Sequence, residues 1–264
     1  MTHLDNFHRM MRREQPRRVP LELPMTPPVV REMQQRTGQS NARIAFGLDF
    51  GHVGVGPAFD RAAWVAALGK LGVTLPEPVE LGNYGMAWAV PPRESLGAAD
   101  HLREMLHPLS AVASVAQLEA LPWPDLGDPA MGAALPQRVA ELHALGLAVE
   151  GGLECTIFEH AWYARGMEQL FLDLIEDNGI GTWLLDWHTR RSVRSATLLA
   201  QAGVDVIGLG DDVGTQVGMM MSPDFWREHL KPRLAAVITA ARDHCSGRRL
   251  WIKYHSDGDI RPIL

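Results

Sequence analysis

Residues 203–226 read GVDVIGLGDDVGTQVGMMMSPDFW, and this stretch decides the fold class. The apolar run Val204–Leu209 predicts a buried strand, and two adjacent acids, Asp211 and Asp212, follow it. A loop broken by glycines comes next, and Ser222-Pro223 is typical of a helix start. Parallel α/β proteins present reaction centres in this way, with carboxylates at the carboxyl end of a buried strand.

Asp211 and Asp212 have two interpretations that the sequence leaves open. Neighbouring side chains on a strand point to opposite faces, so only one of the two acids is expected to face a pocket. That acid would be a catalytic acid, a base or a ligand. The alternative is a structural carboxylate that accepts a hydrogen bond from a nearby backbone N–H.

A second predicted strand that is followed by polar side chains occurs further along the chain. Leu250–Tyr254 predicts a last strand, and His255 and Asp257 follow it. Their spacing of two residues puts both side chains on one face if the strand continues. An imidazole and a carboxylate together can hold a divalent metal or orient a proton transfer. Two ligands do not complete a metal site, so a hydrogen-bonded polar strand end stays open as the alternative.

Further polar side chains near predicted strand ends are candidates for the same pocket. Glu154 follows the predicted strand Leu147–Leu153 and is a third catalytic candidate beside the two aspartates, or else a carboxylate at the start of the next helix. The candidate substrate-binding residues are Asp49, His52, Gln216 and Tyr254. For the first two, which are predicted at the end of the second strand, a satisfied polar pair is the alternative.

Strands and helices alternate along the chain, which predicts a parallel sheet with crossover connections. The predicted strands are Arg18–Pro24, Ile44–Val55, Leu147–Leu153, Val204–Leu209 and Leu250–Tyr254. The predicted helices are residues 4–14, Pro27–Thr37, Val115–Leu121, Pro129–Leu145, His160–Asn178, Gly181–Ala202 and one that begins at Ser222 and is kinked or split at Pro232.

Acids and histidines at strand ends favour a (β/α) barrel of the TIM type over an open sheet. We expect a single barrel domain over residues 1–264, with an irregular excursion at about residues 56–128. Only about five strands are predicted, whereas a closed barrel needs about eight. We therefore expect the chain to correspond to the first part of a longer barrel, with one open sheet edge.

Composition narrows the class of protein. The net charge of −6 argues against nucleic-acid binding, which normally needs a basic face. Two cysteines, Cys155 and Cys245, cannot form a disulfide framework and suit a reducing cytoplasm. No apolar run approaches the ~18 residues that a membrane span requires, and no signal peptide is visible. We expect a cytoplasmic protein that acts on a small molecule.

Several segments resemble the uroporphyrinogen decarboxylase superfamily, which also contains corrinoid-dependent methyltransferases. They span nearly the whole chain, and those from Gly208 onward are the most specific. The segments are Gln15–Pro20, Tyr84–Trp88, His107–Leu109, Leu121–Asp125, Gly208–Gln216, Met221–Trp226, Lys231-Pro232 and His255–Gly258. The resemblance implies the same (β/α) barrel.

The resemblance leaves the reaction open. The decarboxylases grip the carboxylates of their tetrapyrrole with an arginine-containing N-terminal loop, whereas Leu21–Pro28 has no arginine here. A polyanionic tetrapyrrole needs several cations, so this activity is disfavoured. The methyltransferases hold zinc with a His-x-Cys pair and a later cysteine. Here the matching position reads His255-Ser256-Asp257, so the site would have an oxygen ligand in place of the thiolate.

The sequence therefore predicts an enzyme that moves a methyl group between a small donor and a corrinoid carried by a partner protein. His255 and Asp257 are the predicted metal ligands, with zinc as the candidate metal. Decarboxylation of a tetrapyrrole or another carboxylated substrate is the first alternative. A non-catalytic binding or assembly subunit is the second. A homodimer is left open.

Overall fold

The computed structural model describes residues 1–90 and 103–264. Its central element is a four-stranded parallel sheet with the strand order β1-β5-β6-β9. The strands of this sheet are β1 (Phe50–Val53), β5 (Ala148–Glu154), β6 (Val206–Gly210) and β9 (Trp251–His255). The remaining strands are β2 (Val79–Leu81), β3 (Ala87–Ala89), β4 (Glu104–Leu106), β7 (Gly214–Thr215) and β8 (Gly218–Met219). The predicted α/β class is confirmed.

Eleven α-helices lie within these described ranges. They are α1 (His3–Met11), α2 (Pro27–Thr37), α3 (Ala42–Phe46), α4 (Arg61–Lys70), α5 (Val115–Glu119), α6 (Leu135–Ala144), α7 (Phe158–Arg165), α8 (Met167–Ile175), α9 (Ile180–Ala202), α10 (Pro223–His229) and α11 (Lys231–Asp243). Short 3₁₀ turns occupy Pro108–Ala111 and Arg261–Ile263. No helix in the described part of the chain is long and apolar enough to cross a bilayer.

One face of the sheet carries the main apolar core. Side chains alternate along each strand, so Val149, Ile207 and Leu209 point to this face and are fully buried. Helices α6 and α9 cover them, α9 contacts both β5 and β6, and α11 packs against α9. Strand β6 is apolar along almost its whole length, because a central parallel strand is buried on both faces.

The opposite face is built in layers. At the amino ends of the strands, Ala148 and Val206 form a small apolar cluster with Phe7 of α1, and Phe50 and Trp251 pack against it. Helix α1 therefore closes this end of the face. The next side chains along the strands are polar, so any opening on this face lies above the apolar layer, towards the carboxyl ends.

The region 56–128, predicted as an irregular excursion with one short helix at Val115–Leu121, contains that helix and further regular structure. It holds α4, α5 and an antiparallel sheet of β2, β3 and β4, in which Ala87 pairs with Leu81 and Leu106. Trp64 is fully buried and contacts Trp123 edge-on. This aromatic packing, which joins residues far apart in sequence, orders the segment. Part of the predicted excursion, residues 91–102, lies outside the described residues.

Four predicted elements are wrong in detail. The helix predicted over Pro129–Leu145 begins only at Leu135, since residues 129–134 form turns. Arg18–Pro24 is not a strand, because two prolines lack donors and only one backbone hydrogen bond, from Asp49 N to Leu21 O at 3.0 Å, ties it to the sheet side. Ile44–Val55 divides into the end of α3 and the short strand β1. The helix predicted over His160–Asn178 breaks at Gly166, whose φ is 90°.

Candidate active site

A cavity of about 910 Å³ opens on the polar face of the sheet. Its walls come from β1, β5 and β9 and from the segment around α3. The lining residues are Glu22, Leu23, Pro24, Asn41, Ala42, Arg43, Leu48, Phe50, His52, Glu150, Gly152, Glu154, Lys253, Tyr254 and His255. Four residues named from the sequence, His52, Glu154, Tyr254 and His255, thus border one hollow.

Lys253 is the centre of the charged groups in this cavity. Its Nζ lies 2.5 Å from Glu150 Oε1, 3.9 Å from Glu22 Oε2 and 3.9 Å from Glu154 Oε1. Burial raises the pKa of Glu150, although Lys253 acts in the opposite direction by favouring the ionised carboxylate. One ammonium group therefore interacts with three carboxylates.

A glycine in β6 makes the contact between Glu150 and Lys253 possible. The two side chains stand on the strands that flank β6, and they meet above Gly208. A Cβ at this position would collide with the Glu150 carboxylate and lie 3.3 Å from Lys253 Cε. The glycine in the GLG sequence at 208–210 thus has a packing reason: it leaves room for an ion pair across the strand.

Asp212, His255 and Asp257 meet where β6 and β9 end, and we name these three residues the rim cluster. His255 Nε2 lies 3.8 Å from Asp212 Oδ1 and 3.5 Å from Asp257 Oδ1. The backbone N–H of Asp257 donates to Asp212 Oδ1 at 2.7 Å, which fixes the loop after β9. One ligand atom from each side chain lies within 4.8 Å of the others, a spacing that a metal ion can use.

Asp211 points the other way and is buried. Its carboxylate accepts hydrogen bonds from the backbone N–H groups of Ile157 and Glu159, both at 3.0 Å. It therefore joins the end of β6 to the start of α7. This is the structural role, a carboxylate that accepts from nearby backbone N–H groups, that the sequence left open. Burial raises the pKa of Asp211 to about 7, against the lowering effect of the two N–H donors.

Glu159, which no local sequence pattern singles out, connects buried Asp211 with the rim cluster. Its carboxylate accepts from the hydroxyl of Tyr163 at 2.6 Å and from the backbone N–H of Asp212 at 3.1 Å. Burial raises the pKa of Glu159. Burial also raises the pKa of the nearby Cys155 thiol to about 12, so this cysteine is a poor nucleophile at neutral pH.

The remaining predicted residues have different positions. Asp49 precedes β1 instead of ending it, and its fully buried carboxylate is held by His3, Arg18 and the backbone N–H of Leu21. Its predicted place at a strand end is wrong, because the strand begins at the next residue. Gln216 is exposed at the turn between β7 and β8.

Tyr254 pairs with Leu209 across β9 and β6, so its side chain belongs to the helix-covered face. The hydroxyl of Tyr254 is 3.4 Å from the carbonyl oxygen of Asp211.

Three cavity residues were missed by the sequence reasoning. Glu150 shares a face of β5 with Glu154, and Lys253 shares a face of β9 with His255, so the spacing of two or four residues was a usable signal. Glu22 gave no such signal, because its segment forms no regular element and reaches the cavity only through the tertiary fold.

Gly258 controls the loop of the rim cluster. Its φ is 79°, and an added Cβ would lie 2.7 Å from the carbonyl oxygen of Gly214, which cannot move aside as a side chain can. We expect Gly258→Ala to lower the free energy of unfolding by about 2–3 kcal/mol, from strain and overpacking together. Gly38→Ala is the matched control, since φ is 71° there and no atom lies within 4 Å. Equal losses in urea titrations of the two variants would contradict this account.

Thirteen chains of solved structures match this chain in fold. One is a methyltransferase from Methanosarcina mazei, with a TM-score of 0.56 and 18% sequence identity over 100% of this chain and 72% of that chain. At this identity the similarity establishes a shared α/β fold. No family model and no curated protein matches the sequence.

Proposed function

We propose that the chain is a methyltransferase that moves a methyl group between a small donor and a corrinoid carried by a partner protein. The rim cluster beside the cavity is the observation that carries this proposal. The likeness to a methyltransferase of similar fold supports it, as does the position of the cluster at the carboxyl ends of parallel strands. In this proposal the parallel sheet is part of a (β/α) barrel.

The rim cluster fits zinc by its chemistry. One imidazole and two carboxylates are ligands that Zn²⁺ accepts, and three protein ligands leave a position for a substrate. His255 and Asp257 are the proposed ligands, together with Asp212. Zinc, when bound, would supply a Lewis acid that polarises the atom from which the methyl group leaves. Glu159 would position the cluster through its hydrogen bond to the backbone of Asp212.

The charges of the cavity argue against the decarboxylase alternative. The described lining residues include three carboxylates, Glu22, Glu150 and Glu154, and only two cations, Lys253 and Arg43. Since Lys253 already pairs with these carboxylates, a polyanionic tetrapyrrole would meet repulsion where it needs several free cations. The cavity better suits a small, neutral or cationic methyl donor.

Zinc binding by the full chain tests the proposal. We expect His255→Ala to weaken zinc binding at the rim cluster by more than the roughly 10- to 100-fold that loss of an outer-shell partner causes. Competition with a chromogenic chelator measures this affinity, and each variant also carries His52→Ala so that the rim cluster alone is compared. His244→Ala is the control, because that exposed histidine lies at the end of α11, where its ring contacts the carbonyl of Ala240. Equal zinc affinity in both variants would contradict the proposed site.

A further inference from the structure

A second group of possible metal ligands faces the cavity, and we name Glu22, His52 and Glu150 the inner cluster. One ligand atom from each lies within 4.8 Å of the others. His52 Nε2 is 3.1 Å from Glu22 Oε1. The three residues come from three places in the chain: the segment before α2, strand β1 and strand β5. The fold therefore brings together an imidazole and two carboxylates that share no residue with the rim cluster.

The register of the sheet explains why two of these side chains meet. His52 pairs directly with Glu150 across β1 and β5, so both stand on the polar face at the same height. Glu22 reaches them from a segment held beside the start of β1, where the N–H of Leu21 donates to Asp49 Oδ2 at 2.6 Å. The register of β1 and β5 thus fixes His52 beside the buried Glu150, and the exposed Glu22 joins them from an irregular segment.

The charge around the inner cluster is unbalanced. With Glu154, three carboxylates lie near Lys253, and among the described residues their other side-chain partner is the imidazole of His52, beside Glu22. Glu150 is only 3% exposed, and a buried carboxylate is stable only when it is paired or coordinates a metal. When Lys253 pairs with the exposed Glu154, the carboxylates of Glu22 and Glu150 are left to a divalent cation.

Lys253 can give way to such a cation. Its Nζ is 3.9 Å from Glu154 Oε1, so a second carboxylate lies within reach of the ammonium. Glu154 is exposed at the end of β5, and at Gly152, between Glu150 and Glu154, a Cβ would have no atom within 4 Å. The space beside the inner cluster is therefore open towards the cavity, where a metal could also meet a substrate.

We propose that Glu22, His52 and Glu150 form a second site for a divalent transition-metal cation, which Lys253 vacates by pairing with Glu154. One imidazole and two carboxylates suit Zn²⁺, Mn²⁺, Fe²⁺ or Co²⁺, and three ligands leave positions open on the cavity side. The inner site does not depend on the proposed methyl transfer, because none of its ligands belongs to the rim cluster.

Cobalt titration of the His255→Ala chain tests the inner site in isolation, since this background lacks the rim imidazole. We expect one equivalent of Co²⁺ to bind, seen as visible absorption bands. Adding His52→Ala or Glu22→Gln should weaken binding by more than the roughly 10- to 100-fold of an outer-shell change. Glu32→Gln, on the exposed side of α2, is the matched control and should leave the affinity unchanged.

Lys253→Met gives a readout that a purely structural ion pair would not produce. Removing the competing ammonium should tighten Co²⁺ binding about tenfold, because both carboxylates are then left to the metal. Thermal unfolding of each variant without metal confirms that it is folded. The proposal is overturned if the His255→Ala chain binds no Co²⁺, if His52→Ala and Glu22→Gln bind as tightly as Glu32→Gln, or if Lys253→Met fails to tighten binding.

Discussion

Replacement of Arg165 by methionine should lower the free energy of unfolding by about 3–5 kcal/mol, the usual cost of breaking a buried ion pair. Arg165 and Asp173 are 3% and 0% exposed, and they share two hydrogen bonds of 2.7 and 3.0 Å. The same guanidinium donates to the carbonyl oxygens of Leu109 and Val112. Methionine would fill the volume but remove two of the four hydrogen bonds to the Asp173 carboxylate, which would stay buried without its cation, and also the side-chain donor to both carbonyls.

This ion pair connects two consecutive helices across the point where the helical conformation is interrupted. Arg165 ends α7, Asp173 lies in α8, and Gly166 separates the two helices. The pair therefore holds α7, which begins at the rim, in place against the segment before α5. Urea unfolding measures the loss. Arg233→Met is the control, since its partner Asp186 is 48% exposed and such pairs contribute at most about 1 kcal/mol. Similar losses in both variants would contradict the importance of the buried pair.

The second large effect is a fall of stability with rising pH, which Asp211→Asn should reduce strongly. The pKa of Asp211 is about 7 in the folded protein, against 3.8 for an ordinary aspartate. Between these values the folded state binds more protons than the unfolded state, so stability falls as pH rises through this window and then levels off. At 1.36 kcal/mol for each pKa unit, the fall is on the order of 4 kcal/mol.

The change is measured as the free energy of unfolding at mildly acidic and mildly alkaline pH. Asparagine keeps an oxygen that can accept from the N–H groups of Ile157 or Glu159, so the helix contact survives while the titration disappears. Glu150 and Glu159 also have raised pKa values and will keep part of the slope in the variant. Asp224→Asn, at a carboxylate that is 94% exposed, should leave the slope intact. If the slope is unchanged in Asp211→Asn, other groups cause the pH dependence and the prediction is contradicted.

Local signals predicted the elements that depend on local chemistry. Helix α2 begins and ends where Pro27 and Gly38 predict, because one fixes a helical φ and the other adopts the left-handed cap. The division of α10 from α11 follows from Pro232 in the same way. The strand β6 was visible as an apolar run that ends in acids. Each of these features lies within a few neighbouring residues.

What the sequence could not show is set by contacts between distant residues. The directions of Asp211 and Asp212 depend on where β6 ends relative to α7, which no local pattern records. Asp49 was placed at the wrong end of its strand because three glycines in Ile44–Val55 blurred its start. Lys253 gained its role only from the register of β5, β6 and β9, which sets it across Gly208 from Glu150.

Methyl transfer to a free corrinoid is the decisive measurement for the proposed methyltransferase activity. The zinc-loaded chain is mixed with cob(I)alamin and, in turn, with a methylated alcohol, amine, ether or thiol, and the absorption spectrum is followed. The account predicts that one donor class yields methylcobalamin, and that His255→Ala abolishes the reaction while His244→Ala does not. Turnover of a carboxylated tetrapyrrole by the metal-free chain, with no methylcobalamin from any donor, would contradict it.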